Sequence, residues 1–238
     1  MKFDVKNVNL SYYDKKIGLI LPECPSCELA EFIGILTGDG YMNKYGKYFS
    51  IVEIVGDPRF DKAYLENHVT NMINNLFNLK PKVDFKRTQN LMSIRLMSKG
   101  LNNYLELVGF KSGKKGQIGI PSWILENDEY MKFFIKGLVD TDGCLTLLNR
   151  KHKNFNFYPR VQITSISKSL IDDVGTWLSN QGFSVCLMKD CGKRTYKGVT
   201  KIHEGYRFNI NGYTQLQVWM NLIGFRNKRH LDKYEKLK

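Results

Sequence analysis

Two aspartates sit in matched surroundings 103 positions apart: Asp39 in FIGILTGDG, Phe32–Gly40, and Asp142 in IKGLVDTDG, Ile135–Gly143. Leu29, Phe32, Ile33 and Leu36 recur at helical spacing before the first, and Phe134, Ile135, Leu138 and Val139 before the second. Each aspartate therefore falls in a last helical turn, where the macrodipole disfavours a carboxylate by a few tenths to about 1 kcal/mol. A chain that carries this cost twice has a use for both groups. Small residues four apart, Gly34/Gly38 and Gly137/Thr141, give each helix a face that a partner backbone can approach. If these faces pack together, the helix ends and their carboxylates lie side by side. The glycine after each aspartate is predicted to end its helix as a left-handed cap. Adjacent like charges raise one another's pKa unless a cation lies between them. An all-oxygen ligand set favours a hard divalent ion, Mg²⁺ or Mn²⁺, that also takes water and substrate phosphate. That outlines a site for cleaving phosphodiesters.

The rest of the chain repeats around these windows. After each come a hairpin, a helix, a second hairpin and a shorter helix. The first half has strands at 41–44, 48–55, 82–86 and 91–97, with helices at about 61–77 and 101–108. The second has strands at 144–149, 158–165, 183–189 and 206–211, with helices at about 168–181 and 215–222, and a long Lys/Gly loop before the last strand. LVGFK at 107–111 and LIGFR at 222–226 echo one another and set the register of the repeat. The expected fold is α+β: two pseudo-symmetric α-β-β-α-β-β-α halves, each a four-stranded antiparallel sheet, joined through two central helices. The divisions are an N-terminal extension (1–28), a first half (29–110), a connector (111–130) and a second half (131–238).

The charge balance names a partner. The 36 Lys and Arg exceed the 23 Asp and Glu by 13, which points to a polyanion such as nucleic acid. The excess is uneven: residues 1–110 hold 14 basic against 12 acidic groups, residues 111–238 hold 22 against 11. No apolar run is long enough for a membrane span, and the N-terminus has no secretory h-region. Five scattered cysteines suit reduced thiols. An intracellular protein is expected, in a prokaryotic cytoplasm or an organelle matrix. The lone Cys24-Pro-Ser-Cys27 lacks the second pair that a zinc site needs.

With the helices on one side of each sheet, strand alternation gives the other side polar side chains. Tyr45, Lys47 and Glu53 fall on the first hairpin, Lys82, Asp84, Lys86, Ser93 and Arg95 on the second. Arg160, Gln162, Arg207 and Asn209 face out from the second half, and Arg150, Lys151 and Lys153 form a basic loop. Val83 and Phe85 are expected to point inward. Arg, Gln, Asn and Asp read base edges in the major groove, which admits a two-stranded ribbon.

Both windows resemble the LAGLIDADG motif of homing endonucleases, and IPSWILENDEYMKFFIKGLVDTDG resembles the connector and second motif of single-chain members. The second window matches at Gly137, Leu138, Val139, Asp140, Asp142 and Gly143. The first matches at Gly34, Asp39 and Gly40, with Thr37 in place of the inner aspartate. The resemblance implies a monomeric, intron-encoded type of enzyme that makes a staggered double-strand break at a long DNA target. It implies metal ligation by Asp39 and Asp142, helped by the Gly38 and Thr141 carbonyls. It also implies a basic group near the site, for which Lys114, Lys115 and Lys228 are the matching positions. A polar residue commonly ends the second strand of each half, but here those positions are Gly56 and Ser165. The alternatives on the same scaffold are a maturase that binds intron RNA and a non-catalytic DNA-binding regulator. Retention of both aspartates favours the nuclease. An intein origin is not expected, because splicing residues are lacking at either end.

Overall fold

The computed structural model describes residues 1–45, 49–86, 89–111, 118–149, 157–196 and 199–237. A 3₁₀ turn (Val5–Asn7) and a short helix α1 (Tyr12–Lys16) precede the first central helix, α2 (Cys27–Asp39). Strands β1 (Gly40–Tyr45) and β2 (Phe49–Gly56) follow. The next helix runs through three segments: α3 (Pro58–Ala63), a π turn (Tyr64–Val69) and α4 (Thr70–Phe77). Strands β3 (Lys82–Lys86) and β4 (Leu91–Met97) and helix α5 (Lys99–Leu107) complete the first half. The connector holds α6 (Ser122–Leu125) and leads into the second central helix, α7 (Asp128–Thr141). Then come β5 (Gly143–Leu148), β6 (Tyr158–Ser165), α8 (Lys168–Asn180), β7 (Val185–Tyr196), β8 (Val199–Asn211), α9 (Tyr213–Leu222) and α10 (Lys228–Glu235). The two sheets share one antiparallel plan, β1-β2-β4-β3 and β5-β6-β8-β7. The α+β repeat expected from the sequence is the observed architecture.

The centre of the molecule is the α2–α7 pair, and its glycines explain how close the helices come. A Cβ on Gly34 would lie 2.1 Å from the Phe134 carbonyl oxygen, and one on Gly137 would lie 2.3 Å from the Glu31 carbonyl oxygen. Residues 31 and 134 hold equivalent places in the two windows, so the contact is reciprocal about a pseudo-twofold axis. At the helix ends, a Cβ on Gly38 would overlap the Thr141 hydroxyl at 2.1 Å. Only backbone-to-backbone packing fits here. Phe32, Ile33, Leu36, Phe134, Ile135 and Leu138 are buried around it in a core shared by both halves.

The glycines after the aspartates do a different job from the one expected. Gly40 has φ −85° and ψ 154°, an extended conformation open to any residue. What excludes a side chain is space: a Cβ on Gly40 would sit 2.3 Å from the Leu36 carbonyl, and one on Gly143 2.6 Å from the Val139 carbonyl. The chain turns directly from helix into strand against the last helical turn. These glycines are steric requirements, not left-handed caps.

Three further differences have physical reasons. The stretch read as a Lys/Gly loop is ribbon: β7 and β8 stay paired from Val185↔Ile210 out to Tyr196↔Val199, although β6 reaches only Tyr206 of β8. Residues 190–205 carry no apolar/polar alternation, so the sequence does not mark them as strand. Phe85 is 47% exposed, because the edge strand β3 runs past the helix layer; Lys62 covers its ring at 5.8 Å. Residues 228–235, where the sequence suggests no element beyond the basic stretch RNKRH at 226–230, form α10, capped by the Asn227 side chain, which accepts from Arg229 N. The N-terminal extension is docked on the first half: Phe3 is buried against Tyr104 and Trp123, and Tyr104 Oη donates to the Pro22 carbonyl at 3.0 Å.

Candidate active site and nucleic-acid interface

Because α2 and α7 end together, Asp39 and Asp142 line a single cleft of about 870 Å³. The first half adds Gly56, Asp57, Phe60 and Asp61 to its wall, and the second adds Thr141, Cys144, Arg229 and Lys233. Asp39 is half-buried and Asp142 exposed, so both carboxylates can meet solvent or substrate. The donor set suits a hard divalent ion. Among the described residues no three acidic, His or Cys side chains stand close enough to hold one metal ion together, so two carboxylates leave most of a six-oxygen shell to water and phosphate.

Behind the cleft lies a buried polar network that the sequence did not reveal. Asp140, the inner aspartate of the second window, is fully buried and accepts from Arg226 N at 2.8 Å and Asn227 N at 3.1 Å. The Asn227 side chain donates both to the Asp140 carbonyl at 3.0 Å and to Asp61 at 2.8 Å in the first half. Arg229 reaches Asp61 at 3.2 Å and the Asp140 carbonyl at 3.0 Å, and also donates to the Thr141 carbonyl. Glu31, buried on α2, holds Arg226 at 2.8 Å and His68 at 2.7 Å. The π turn carries His68, which stacks on Tyr64 with centroids 5.4 Å apart. Burial pushes the Asp140 carboxyl up to about 7 despite two N–H donors. Burial, with Arg229 and Lys233 nearby, pushes the His230 imidazole down to about 3.

The expected site residues divide into three groups. Asp39, Asp142 and Thr141 come together with Gly38 at the helix ends. The Thr141 carbonyl is engaged by Arg229, so its use by a metal would require that guanidinium to move. Lys228 does not reach this cleft; it starts α10, pairs with Asp232 and lines a neighbouring pocket over α3. Lys114, Lys115, Lys47, Arg150, Lys151 and Lys153 lie outside the described residues. The basic groups that do line the cleft are Arg229, Lys233 and Lys236, with Lys233 Nζ 3.5 Å from Cys144 Sγ. Their spacing of four and three residues puts them on one helical face. Reading NKRHLDKYEKLK as a capped helix would have found them.

The outer sheet faces largely follow the expected alternation. Across the first sheet the register aligns Tyr41, Glu53, Arg95 and Lys82 in one row. Arg95 is held by Glu53 at 2.8 Å and Asp84 at 3.2 Å, and Lys82 reaches Asp84 at 3.0 Å. Tyr45 bonds Tyr41 at 3.0 Å, and Asn43 donates to Tyr41 at 2.8 Å, so Tyr41 and Asn43 join this face. Lys86 is exposed at the end of β3. On the second sheet Cys144, Gln162, Asn209 and Cys186 align, beside Thr146, Arg160 and Asn211. Arg160 donates to Asn211 at 2.7 Å, and Arg207 and Asn209 lie against Met188 Sδ at 3.8 and 3.2 Å. Ser93 and Asn209 are buried, at 1% and 2% exposure, by their neighbours on the outer face.

Residues 129–224 match the model of the LAGLIDADG-like domain. That stretch is similar to LAGLIDADG-like domains. The chain's fold is that of I-DmoI in complex with DNA and Ca, with TM-score 0.55 and 20% identity over 88% of this chain and 97% of that one. It is equally that of the I-LtrWI LAGLIDADG homing endonuclease bound to target DNA, with TM-score 0.55 and 12% identity over 89% of each chain. Among curated proteins it is 24% identical over 206 residues to a replication factor C small subunit of Methanocaldococcus jannaschii. It is 27% identical over 138 residues to a reverse gyrase of the same organism. The chain covers 87% and 55% of its own length in these matches but spans only 10% and 8% of those relatives. No helix among the described residues is long and apolar enough to cross a membrane.

Proposed function

We propose that this chain is a LAGLIDADG homing endonuclease: a divalent-metal-dependent, sequence-specific DNA endonuclease that works as a monomer and cuts both strands of its target with a stagger. The observation that carries the reading is the shared cleft: Asp39 and Asp142, from pseudo-symmetric helices, open into the same space. Asp39 and Asp142 would hold Mg²⁺ or Mn²⁺, which when bound supplies activation of water and stabilisation of the leaving oxygen. The remaining roles belong to the chain itself. The α2–α7 backbone contact fixes the spacing of the carboxylates, and Lys233 places positive charge beside the phosphates. The outer sheet faces, above all Arg160, Gln162 and Arg207, fix where the duplex sits by contacting base edges, while the buried Asn209 supports them from beneath.

The test is incubation of the purified protein with a randomised duplex library, with Mg²⁺ and with EDTA, followed by sequencing of the cut ends. Cuts at one consensus site are expected with Mg²⁺ and none with EDTA. Asp39→Asn and Asp142→Asn should each remove double-strand cleavage while the protein still shifts the same DNA, since groove contacts supply the affinity. Normal cutting by either variant, or cutting in EDTA, refutes the two-carboxylate site.

A further inference from the structure

The N-terminal extension carries a surface that the repeat does not account for. Helix α1 is anchored through one buried side chain. Asp14 is fully buried and accepts from Ser98 Oγ at 2.7 Å, Gly100 N at 2.9 Å and Ser11 N at 2.8 Å. Ser11 returns a bond to Asp14 N at 3.1 Å, closing a capping box. The following turn is tied by Asn78, whose amide donates to the Gly18 carbonyl at 3.0 Å, and by Ile20 N, which donates to the Phe77 carbonyl. A five-residue helix held this firmly is fixed in position on the first half.

What it presents is exposed and is not needed for packing. Tyr12 is 82% and Tyr13 59% exposed, and Lys15 and Lys16 are exposed beside them. Tyr13 and Ile17 form one wall of a groove of about 730 Å³ whose other walls are Asn78, Lys80, Lys82, Arg95 and Met97. Lys82 and Arg95 belong to the outer face of the first sheet, so this groove continues that face past the edge strand β3. Among the described residues no acidic group pairs with Lys15, Lys16 or Lys80. On the sheet itself, Arg95 and Lys82 are already committed to Glu53 and Asp84. Lys80 lines the groove beside Tyr13, and Lys15, Lys16 and Tyr12 stand exposed on the same short helix next to it.

We propose that α1 is a further DNA-contacting element, gripping the sugar–phosphate backbone of the duplex just outside the first half's reading face through Lys15, Lys16 and Lys80, with Tyr12 and Tyr13 packing on the sugars. The contact is independent of sequence, because phosphates and sugars carry no base identity. It supplies the charge that the acid-paired first sheet lacks. The proposal rests on the DNA-binding reading above.

The experiment is a salt titration of binding to a fluorescent 40-base-pair duplex of arbitrary sequence, in Ca²⁺. It compares the parent, Lys15→Gln/Lys16→Gln, Lys15→Glu/Lys16→Glu, and Lys6→Gln as an exposed lysine outside the groove. Asp14 and Ser11 are untouched, so melting temperatures should agree. With two phosphate contacts removed, the plot of log K against log salt should be shallower by about 1.8 for the Gln pair, with affinity at moderate salt down by roughly ten-fold. Lys6→Gln should leave the slope unchanged. A Gln pair with the parent's slope and affinity overturns the role of α1 while leaving the DNA-binding reading intact. A parent that does not bind the duplex overturns both. If the Glu pair unfolds, the Gln pair still decides.

Discussion

The two halves treat the same helical position in opposite ways. Thr37 and Asp140 occupy equivalent places in the last turns of α2 and α7, both buried. Thr37 closes on its own helix, donating to the Ile33 carbonyl at 2.8 Å. Asp140 instead reaches across to the Arg226 and Asn227 N–H groups at the start of α10. The first half is thus finished locally, whereas the second is finished by a C-terminal helix that also meets Asp61 of the first. A symmetric centre is therefore locked asymmetrically. The sheets differ in the same sense. The first sheet's arginine is neutralised by Glu53 and Asp84, while on the second sheet Arg160 donates to the Asn211 amide oxygen and Arg207 lies against the Met188 thioether. Duplicated folds keep their symmetry where backbones touch and lose it where side chains finish the job.

The largest effect should fall where the halves are still alike. Gly34→Val and Gly137→Val each force a branched side chain into a facing carbonyl at about 2 Å, which the paired helices can relieve only by separating. A loss of at least about 3 kcal/mol is expected, at or beyond the upper range for overpacking, and of similar size for both. Chemical denaturation measures it. A large cost on one side alone would break the pseudo-twofold description of the core.

Next in size is the position where the halves diverge. Asp140→Ala strands two buried N–H groups and removes the lock on α10, at about 3 kcal/mol. Thr37→Val removes one bond to a carbonyl of its own helix, at about 1 kcal/mol. If the two costs proved equal, the asymmetric lock would be wrong.

Much of this was legible because repetition is a strong signal. The paired GxxxG-like windows and the LVGFK/LIGFR echo place the halves, the central helices and the cleft. Strand alternation finds Arg95, Arg160 and Arg207 because each sheet is buried on one face only. The misses share a cause, which is that local pattern cannot report distant partners. Glu31, Asp61, His68 and Arg226 read as ordinary polar residues on amphipathic helices or loops, yet they meet across up to 195 positions of chain. Helix α10 reads as a charged segment because His230 is its one fully buried residue, with Leu231 and Tyr234 only partly buried against the core. Residues 190–205 of the β7–β8 ribbon lack the apolar alternation that Phe208 and Ile210 show nearer the core, so they read as loop.

On the reading faces, releasing an arginine should matter more in the first half than in the second. Glu53→Gln with Asp84→Asn frees Arg95 from both ion pairs and should strengthen binding to any duplex, steepening the salt slope by nearly one unit. Arg160→Ala has no acid to unmask and should cost about 1–3 kcal/mol of discrimination at one base pair. Binding isotherms on cognate and scrambled duplexes separate the two. Weaker binding after the double neutralisation would show that the acids themselves read bases.

The smallest expected effect is a slope that nearly vanishes. Asp140 has its pKa raised to about 7, so between the ordinary carboxylate value of 3.8 and 7 the folded state holds a proton that the unfolded chain has released. Stability from this group is full below 3.8 and is lost as pH rises through 7. His230 has its pKa lowered to about 3 from 6.5, so between those values the unfolded chain holds the extra proton. Stability from that group is full above 6.5 and is lost as pH falls through 3. Over 3.8–6.5 the two contributions have opposite signs, each about 1.4 kcal/mol per pH unit, and cancel. Asp140→Asn should unmask a stability that rises with pH in this window, and His230→Gln one that falls. Denaturation midpoints in EDTA across pH 4–6.5 measure both, free of any bound cation. Variants whose slopes match the parent's would mean that neither group titrates abnormally. The buried network would then be holding α10 by geometry alone, with no charge penalty built into the asymmetric half.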